Sequence, residues 1–501
     1  MKVQKVVSVA VMRQSDAETI RSGIPGRELM FSAGNGVLES HAWKGPVAIV
    51  VGSGNNGGDG YVLALLLKEK NIPCTVFLLS DRFSEDGRYY YDKCLDAGVN
   101  FEYFTENTAF SGYSEVVDCI LGTGFSGEVS GLVACAVQAI NQSGAFVISV
   151  DINSGLNGDN GLSPLCVRSD LTASIGFYKS GHFLNQAKDV IGSLCNLDIG
   201  IDLFGECYHL VEEGDFKPIL TPRLQSSHKG NYGYVAVMGG CAEYAGATKL
   251  ANLSASALRA GCGVVTLAVP SAIADSVSPY LLESTLAPLP DRDGHMLFDG
   301  ARLDALLGGK KALAIGMGWG RSPENAKILA HILNNHKLSL VIDADGLNTL
   351  AEMDRALLKN TSCSVLLTPH LKEFERISGY SMAEIQADPI GCAKAYAKEN
   401  GVCLLLKGAC TVVTDGDEVL LVNRGCAGMA TAGSGDVLSG ILVGLLGYAP
   451  VTPLTATCGA YIAGLAGELA EKESNPISMT ASDTVAKIPE AVSQILMAFP
   501  S

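Results

Sequence analysis

Apolar runs that end in glycine-rich or acidic turns recur along the chain, with stretches of helical spacing between them. In the first half the runs cover 46–51, 116–121, Phe146–Val150 and 194–199. In the second half they cover Tyr234–Met238, Ala312–Ile315, 340–342, 365–367 and 402–406. Unbroken apolar strands alternating with helices predict parallel sheets buried on both faces, and so an α/β protein with doubly wound sheets. Helices are predicted over 61–70, where leucines repeat, and over 244–260, which is rich in small residues. Ligands of such sheets sit beyond the carboxyl ends of the strands, so the residues closing each run are the candidates for chemistry.

The first run closes in Gly52-Ser53-Gly54-Asn55-Asn56-Gly57-Gly58-Asp59-Gly60. Its opening matches the dinucleotide fingerprint Gly-x-Gly-x-x-Gly, but Asp59 at a helix entrance would repel a pyrophosphate. Two amides and a carboxylate suit a neutral or cationic group, or a metal held through oxygen. The next two runs close in Gly122-Thr123-Gly124-Phe125-Ser126-Gly127-Glu128 and in Asp151-Ile152-Asn153-Ser154-Gly155.

In the second half the closures are Gly316-Met317-Gly318, Asp343-Ala344-Asp345, Thr368-Pro369-His370 and Lys407-Gly408. Each has an ordinary alternative: Asp343 and Asp345 as helix caps, His370 as a loop histidine, Lys407 as a surface strand end. Gly433-Ser434-Gly435-Asp436 then precedes an apolar pattern through Leu438, Ile441, Leu442 and Leu445. This spacing predicts a helix N-terminus whose free N–H groups hold an anion, with Asp436 placed to take a proton from an attacking hydroxyl. The alternative is a glycine-rich turn capped by an aspartate.

Composition narrows the classes. The chain has 501 residues, more than one ordinary domain holds, and 48% are hydrophobic against 18% charged, so large cores are expected and long disorder is not. A net charge of −16 argues against a general binder of nucleic acid or anionic membrane. Fifteen scattered cysteines with no Cys-x-x-Cys pair fit reduced thiols better than a disulfide framework or a zinc site, and a cytoplasmic protein is expected. Acidic residues at 212–215 and prolines at 218 and 222 suggest a boundary, giving domains 1–216 and 217–501.

Asn-Asn-Gly-Gly-Asp-Gly, Gly-Thr-Gly-Phe-Ser-Gly and Asp-Ile-x-Ser-Gly resemble the epimerase domain of the NAD(P)H-hydrate repair family. That resemblance implies a Rossmann-like domain interconverting the C6 epimers of hydrated NADH or NADPH. It implies substrate contacts on Asn55, Asn56, Gly57, Gly58, Asp59, Gly122, Thr123, Gly124, Phe125, Ser126, Gly127 and Glu128. Asp151 would be the acid/base, and a potassium ion would lie against Asn56, Asp118 and Ser154.

Asp-Ala-Asp-Gly-Leu-Asn, Thr-Pro-His-x-x-Glu, Lys-Gly-x-x-Thr and Gly-Ser-Gly-Asp follow the order of that family's ribokinase-like dehydratase domain. The resemblance implies dehydration of the S hydrate with ADP or ATP and magnesium. Hydrate contacts carry over to Ala245, Gly318, His370, Leu371, Lys372, Glu373, Phe374, Glu375, Arg376 and the catalytic Asp436. Nucleotide contacts carry over to Lys407, Gly408, Ala409, Cys410, Thr411, Cys426, Ala427, Gly428, Met429, Ala430, Thr431, Ala432, Gly433, Ser434 and Gly435. Magnesium is expected near Glu373, and a homo-oligomer is the expected assembly. A vitamin or sugar kinase, a dehydrogenase and a nucleotide-binding sensor are the competing readings.

Overall fold

The computed structural model describes residues 4–125, 127–255 and 259–499. They divide into two compact units, one from Gln4 to Tyr208 and one from His209 onward.

In the first unit a helix, α1 (Val9–Arg21), and a second, α2 (Gly26–Glu39), precede the sheet. The sheet strands are β1 (Val47–Val51), β2 (Cys74–Leu78), β3 (Asn100–Tyr103), β4 (Glu115–Cys119), β5 (Phe146–Val150), β6 (Ser169–Ile175) and β7 (Ile191–Leu197). Their order is β3-β2-β1-β4-β5-β6-β7 and every pairing is parallel, as the apolar runs predict. All of Val47 to Val51 is buried, because helices cover both faces. Each fully buried valine or isoleucine contributes roughly 1.5–3 kcal/mol relative to exposure.

The helix after β1 differs from expectation. It is α3 (Asn55–Glu69), so the Asn-Asn-Gly-Gly-Asp-Gly stretch is helical from its first residue rather than a loop before residue 61. Close packing explains this. A Cβ at Gly57 would lie 2.3 Å from the Gly52 carbonyl oxygen, and one at Gly58 would lie 2.5 Å from the Met30 thioether. A side chain at Gly57 would push the helix start off the end of β1 and one at Gly58 would push it off α2, while Leu63 and Leu67 anchor its far end at 0% exposure.

The second unit contains β8 (Tyr234–Met238), α4 (Ala245–Ala255), β9 (Val264–Pro270), β10 (Thr285–Leu289), β11 (Ala312–Ile315), β12 (Ser339–Ile342) and β13 (Ser364–Leu367). It continues with α5 (Leu371–Ser378), β14 (Cys403–Leu406), β15 (Thr411–Thr414), β16 (Val419–Val422), α6 (Ser434–Leu445) and α7 (Pro453–Glu473). The order β10-β9-β8-β11-β12-β13-β14 is parallel, β15 and β16 follow as antiparallel strands, and His209 and Leu210 pair in parallel with β16. Every residue of α6 from Val437 to Leu445 is buried, the signature of a helix enclosed by its unit. The small residues of α4 serve the same packing: a Cβ at Gly440 of α6 would lie 2.2 Å from the Ala251 carbonyl oxygen. The described part of α4 ends at Ala255, short of the predicted 260, and 256–258 lie outside the described residues. No helix among the described residues is long and apolar enough to cross a membrane.

Two candidate active sites at the strand ends

In the first unit a cavity of about 590 Å³ opens at the carboxyl ends of β1, β4 and β5. Asn55, Asn56, Asp59, Gly122, Thr123, Gly124, Phe125 and Asp151 line it, with Arg13 and Asp16 from α1. Gly57 and Gly58 do not: their missing side chains serve the packing of α3. Gly127 and Glu128 are also absent from its lining, and Ser126 lies outside the described residues.

Asp151 sits just past β5 with φ +67°, a left-handed conformation that aspartate tolerates better than most residues. Its Oδ1 lies 2.5 Å from Nζ of Lys179, a lysine of 0% exposure, and its Oδ2 accepts from the Thr123 amide at 3.1 Å. Burial pushes the Asp151 carboxyl up, but the Lys179 ammonium outweighs it and holds the group below the usual carboxylate range. Asp59 goes the other way: burial, then repulsion from Asp151 and Asp16, raises it well above that range against the pull of Lys179. Asp151 and Asp59 are thus pushed in opposite directions, the first toward its ionised form and the second toward its protonated form. His182 locks the arrangement, accepting from the Lys179 amide at Nδ1 (3.1 Å) while Nε2 lies 3.0 Å from the Asp151 carbonyl. Burial, reinforced by Lys179, lowers its pKa to about 3, so the ring is neutral.

Lys179 and His182 are candidate site residues that the sequence reading missed. Lys179 lies in a two-residue strand, Tyr178–Lys179, with no motif around it.

Asp118 and Ser154 meet deeper in the unit. Asp118 Oδ1 accepts from Ser154 Oγ at 2.5 Å, and Oδ2 accepts from the Ser154 amide at 2.8 Å and Ser149 Oγ at 2.9 Å. Burial raises the Asp118 carboxyl, and these hydrogen bonds oppose the rise. Asn56 is buried with no hydrogen-bond partner on either its Oδ1 or its Nδ2. An orphaned amide is costly without a ligand. An oxygen-coordinated cation against Asn56 Oδ1 would satisfy half of it, so Asn56 fits the expected ion, while both Asp118 oxygens are already engaged by Ser154 and Ser149.

In the second unit Asp436 lies in the first turn of α6, behind Gly433 at φ +95°. Asp343, at the end of β12, accepts from Lys407 Nζ at 2.9 Å and from Ser439 Oγ of α6 at 2.7 Å. A parallel bridge between His370 and Lys407 brings the ends of β13 and β14 together. Burial disfavours the Lys407 charge, but Asp343 and Glu373 outweigh it and raise its pKa. Burial, then repulsion from Asp343, lifts Asp436 to about 7 against the pull of Lys407. A Cβ at Gly435 would sit 3.4 Å from Lys407 Nζ and 3.6 Å from Asp343 Oδ2, so the bare backbone at the start of α6 comes close over this ion pair. Ser434 Oγ there is buried and without a partner. A helix N-terminus with free amides and a lysine beside it fits a phosphate.

Gly318, at φ +57°, packs on the Tyr244 carbonyl and on Ala247, which brings it beside Ala245. His370 caps α5, its Nδ1 accepting from the amides of Lys372 (3.1 Å) and Glu373 (3.3 Å). Other predicted contacts are otherwise engaged. Phe374 has 0% exposure and packs edge-on against Tyr396, Glu375 accepts from the Met382 amide, and Arg376 is bonded to Asn348. Glu373 accepts from the His370 amide at 2.9 Å and faces Lys407 at 3.9 Å. A magnesium ion near Glu373 would share this carboxylate with the Lys407 ammonium. Asp345 accepts from the Gly320 amide and Asn348, a helix-start role that separates it from Asp343.

Gly408, Ala409 and Cys410 form the β14–β15 turn, and Thr411 opens β15. Cys426 precedes the turn Ala427–Met429, whose Gly428 amide is taken by Glu471 at 2.7 Å and whose Met429 packs on Gly467. Ala430 and Ala432 are exposed and Thr431 is half-buried between them.

The fold and the two rims define a two-unit α/β enzyme. The family model described as NAD(P)H-hydrate dehydratase matches residues 235–490, and that described as YjeF-related protein N-terminus matches residues 26–181. A bifunctional NAD(P)H-hydrate repair enzyme, Nnr, from Moorella thermoacetica is 35% identical over 506 residues, covering 93% of this chain and 92% of the relative. The enzyme of the same name from Archaeoglobus fulgidus is 34% identical over 474 residues, covering 94% and 95%. The ADP/ATP-dependent NAD(P)H-hydrate dehydratase of Bacillus subtilis, co-crystallised with ATP and Mg2+, aligns with a TM-score of 0.51 at 26% identity over 57% of this chain and 98% of that one. The chain belongs to the bifunctional NAD(P)H-hydrate repair enzymes.

Proposed function

We propose that the first unit interconverts the epimers of hydrated NADH and NADPH at the Asp151–Lys179 pair, and that the second dehydrates the S epimer at Asp436 using ADP or ATP. In the first reaction the ring nitrogen lone pair expels the C6 hydroxyl, which leaves as water with a proton from the Asp151–Lys179 pair. Water then adds to either face of the planar cation and returns a proton to the pair. Asp59, pushed toward its protonated form, would donate a hydrogen bond to the substrate. Potassium held by Asn56 would supply positive charge at the substrate's oxygens.

In the second reaction Asp436 takes the proton of the C6 hydroxyl as that oxygen attacks a nucleotide's terminal phosphorus. Amides of Gly433, Ser434 and Gly435, with Lys407, stabilise the transferring phosphoryl group; one such donor is typically worth about 3–4 kcal/mol. Magnesium bound with the nucleotide would neutralise its phosphate oxygens. The ring nitrogen then expels phosphate and C5 gives up a proton, restoring the dihydropyridine.

The observation that carries this reading is the Lys407–Asp343 ion pair lying against the side-chain-free backbone of Gly435, next to a first-turn carboxyl lifted to about 7. The test is to mix both hydrate epimers with the protein, adenine nucleotide, magnesium and potassium, and follow the near-ultraviolet absorbance of NADH. Full recovery is expected from wild type and only the S half from Asp151→Asn. Omitting potassium should slow only the R half, and Asn56→Ala should blunt that dependence. Accumulation of a stable phosphorylated hydrate would overturn the reading in favour of a kinase.

A further inference from the structure

Two clusters outside these sites gather metal-binding side chains among the described residues: Asp304 with His331 and His336, and Cys241 with Glu243 and His295. The first is already satisfied. Both imidazole Nε2 atoms lie at hydrogen-bond distance from one Asp304 oxygen, 2.8 and 3.0 Å.

The second differs. Cys241 and Glu243 lie between β8 and α4, and His295 lies in the small hairpin of Asp291–Arg292 with His295–Met296. The Ala242 amide donates to the Gly294 carbonyl at 3.2 Å and binds the two segments together. Gly294 makes the approach possible, since a Cβ there would fall 2.5 Å from the Cβ of Ala242. Gly320 clears a third side: its Cβ would stand 3.1 Å from both Cys241 Sγ and His295 Cε1. Cys241 has 0% exposure, whereas the side chains of His295 and Glu243 are 30% and 58% exposed, leaving an entry from solvent. Nδ1 of His295 is nonetheless buried and has no hydrogen-bond partner.

We infer that Cys241, Glu243 and His295 form a binding site for a thiophilic divalent cation of the zinc class. One donor atom from each lies within 4.8 Å of the others, and His295 Nε2 stands 3.8 Å from Glu243 Oε2. Tetrahedral zinc, with bonds of about 2.0–2.3 Å, holds its ligand atoms roughly 3–4 Å apart, so closing the site takes small side-chain rotations. Thiolate, imidazole and carboxylate together select zinc or cobalt over magnesium, which prefers oxygen alone, and water completes the shell. Binding takes the proton from the Cys241 thiol and releases it to solvent.

Cobalt(II) is the probe, added to the full chain after chelator treatment. Wild type is expected to take up one equivalent with a sulfur-to-cobalt charge-transfer band in the near ultraviolet. One equivalent of zinc should abolish the band and excess magnesium should leave it. Cys241→Ser, which keeps side-chain volume, should lack the band, and His295→Gln should weaken binding at least tenfold. Absence of the band in wild type, or its survival in Cys241→Ser, would overturn the inference, the latter assigning the metal to another of the fifteen free cysteines.

Discussion

Lys179, wholly enclosed, reaches Asp151 with its ammonium 2.5 Å from the carboxylate oxygen, across 28 residues of sequence. Removing one partner of a buried pair leaves the other charge uncompensated, at a cost of about 3–5 kcal/mol. Lys179→Met should therefore abolish epimer interconversion and destabilise the first unit by about that much, while S-epimer dehydration persists. The double variant Lys179→Met with Asp151→Asn should be more stable than Lys179→Met alone. Denaturant midpoints for the four proteins check this, and additive losses would contradict it.

His182 makes the first unit's stability depend on pH. Its folded pKa of about 3 lies below the ordinary 6.5, so between these values the unfolded chain binds more protons. His182 therefore favours unfolding increasingly as pH falls below about 6.5, by about 1.4 kcal/mol per pH unit. Asp59, raised, works in the opposite direction. The difference between wild type and His182→Gln isolates the histidine, and the variant should lose less stability from pH 7 to pH 5. Trp43 fluorescence in a Trp319→Phe background reports the first unit, and equal losses would refute the assignment.

Asp436 must be a carboxylate to take the hydroxyl proton, and its pKa is raised to about 7. Dehydration of the S epimer should rise about tenfold per pH unit below neutrality and level off above pH 7. Asp436→Asn should cut the rate at least ~100-fold without lowering thermal stability, because the substitution removes a buried charge. A flat profile from pH 5 to pH 8 would remove Asp436 from the role of base.

Two glycines of the second unit should fail in different ways. Gly435→Ala places a methyl at ordinary contact distance above Lys407 and Asp343, so the protein should fold normally and lose nucleotide-dependent turnover. Gly316→Ala puts a Cβ 2.0 Å from the Asp343 carbonyl oxygen at φ +118°, so the protein should be insoluble or melt early. Thermal melting alongside a turnover assay separates them, and a stable Gly316→Ala enzyme would contradict the geometry.

What the sequence made legible follows from how parallel strands are built. Val47 to Val51 must be apolar on both faces, so the run announces itself, and the polar residues closing it mark the rim. The start of α3 was hidden because Asn55 to Gly60 have low helix propensity and are held helical by close contact with Gly52, Met30 and Cys119. Phe374 and Glu375 lie within a motif yet face the core and the next helix cap, which no linear spacing separates from a substrate contact. Lys179 left no signal at all, since its meaning exists only where the ends of two distant segments meet.

The left-handed backbone at position 151 bears on how this enzyme's lineage can lose an activity. Only glycine, asparagine and aspartate settle there readily, and the first two carry no titratable group. Asparagine would keep the backbone conformation but strand the Lys179 ammonium without its counter-charge, so drift at this position is costly unless Lys179 changes with it. On the proposed role of Asp151, a descendant that has lost epimerisation should therefore carry paired replacements at 151 and 179.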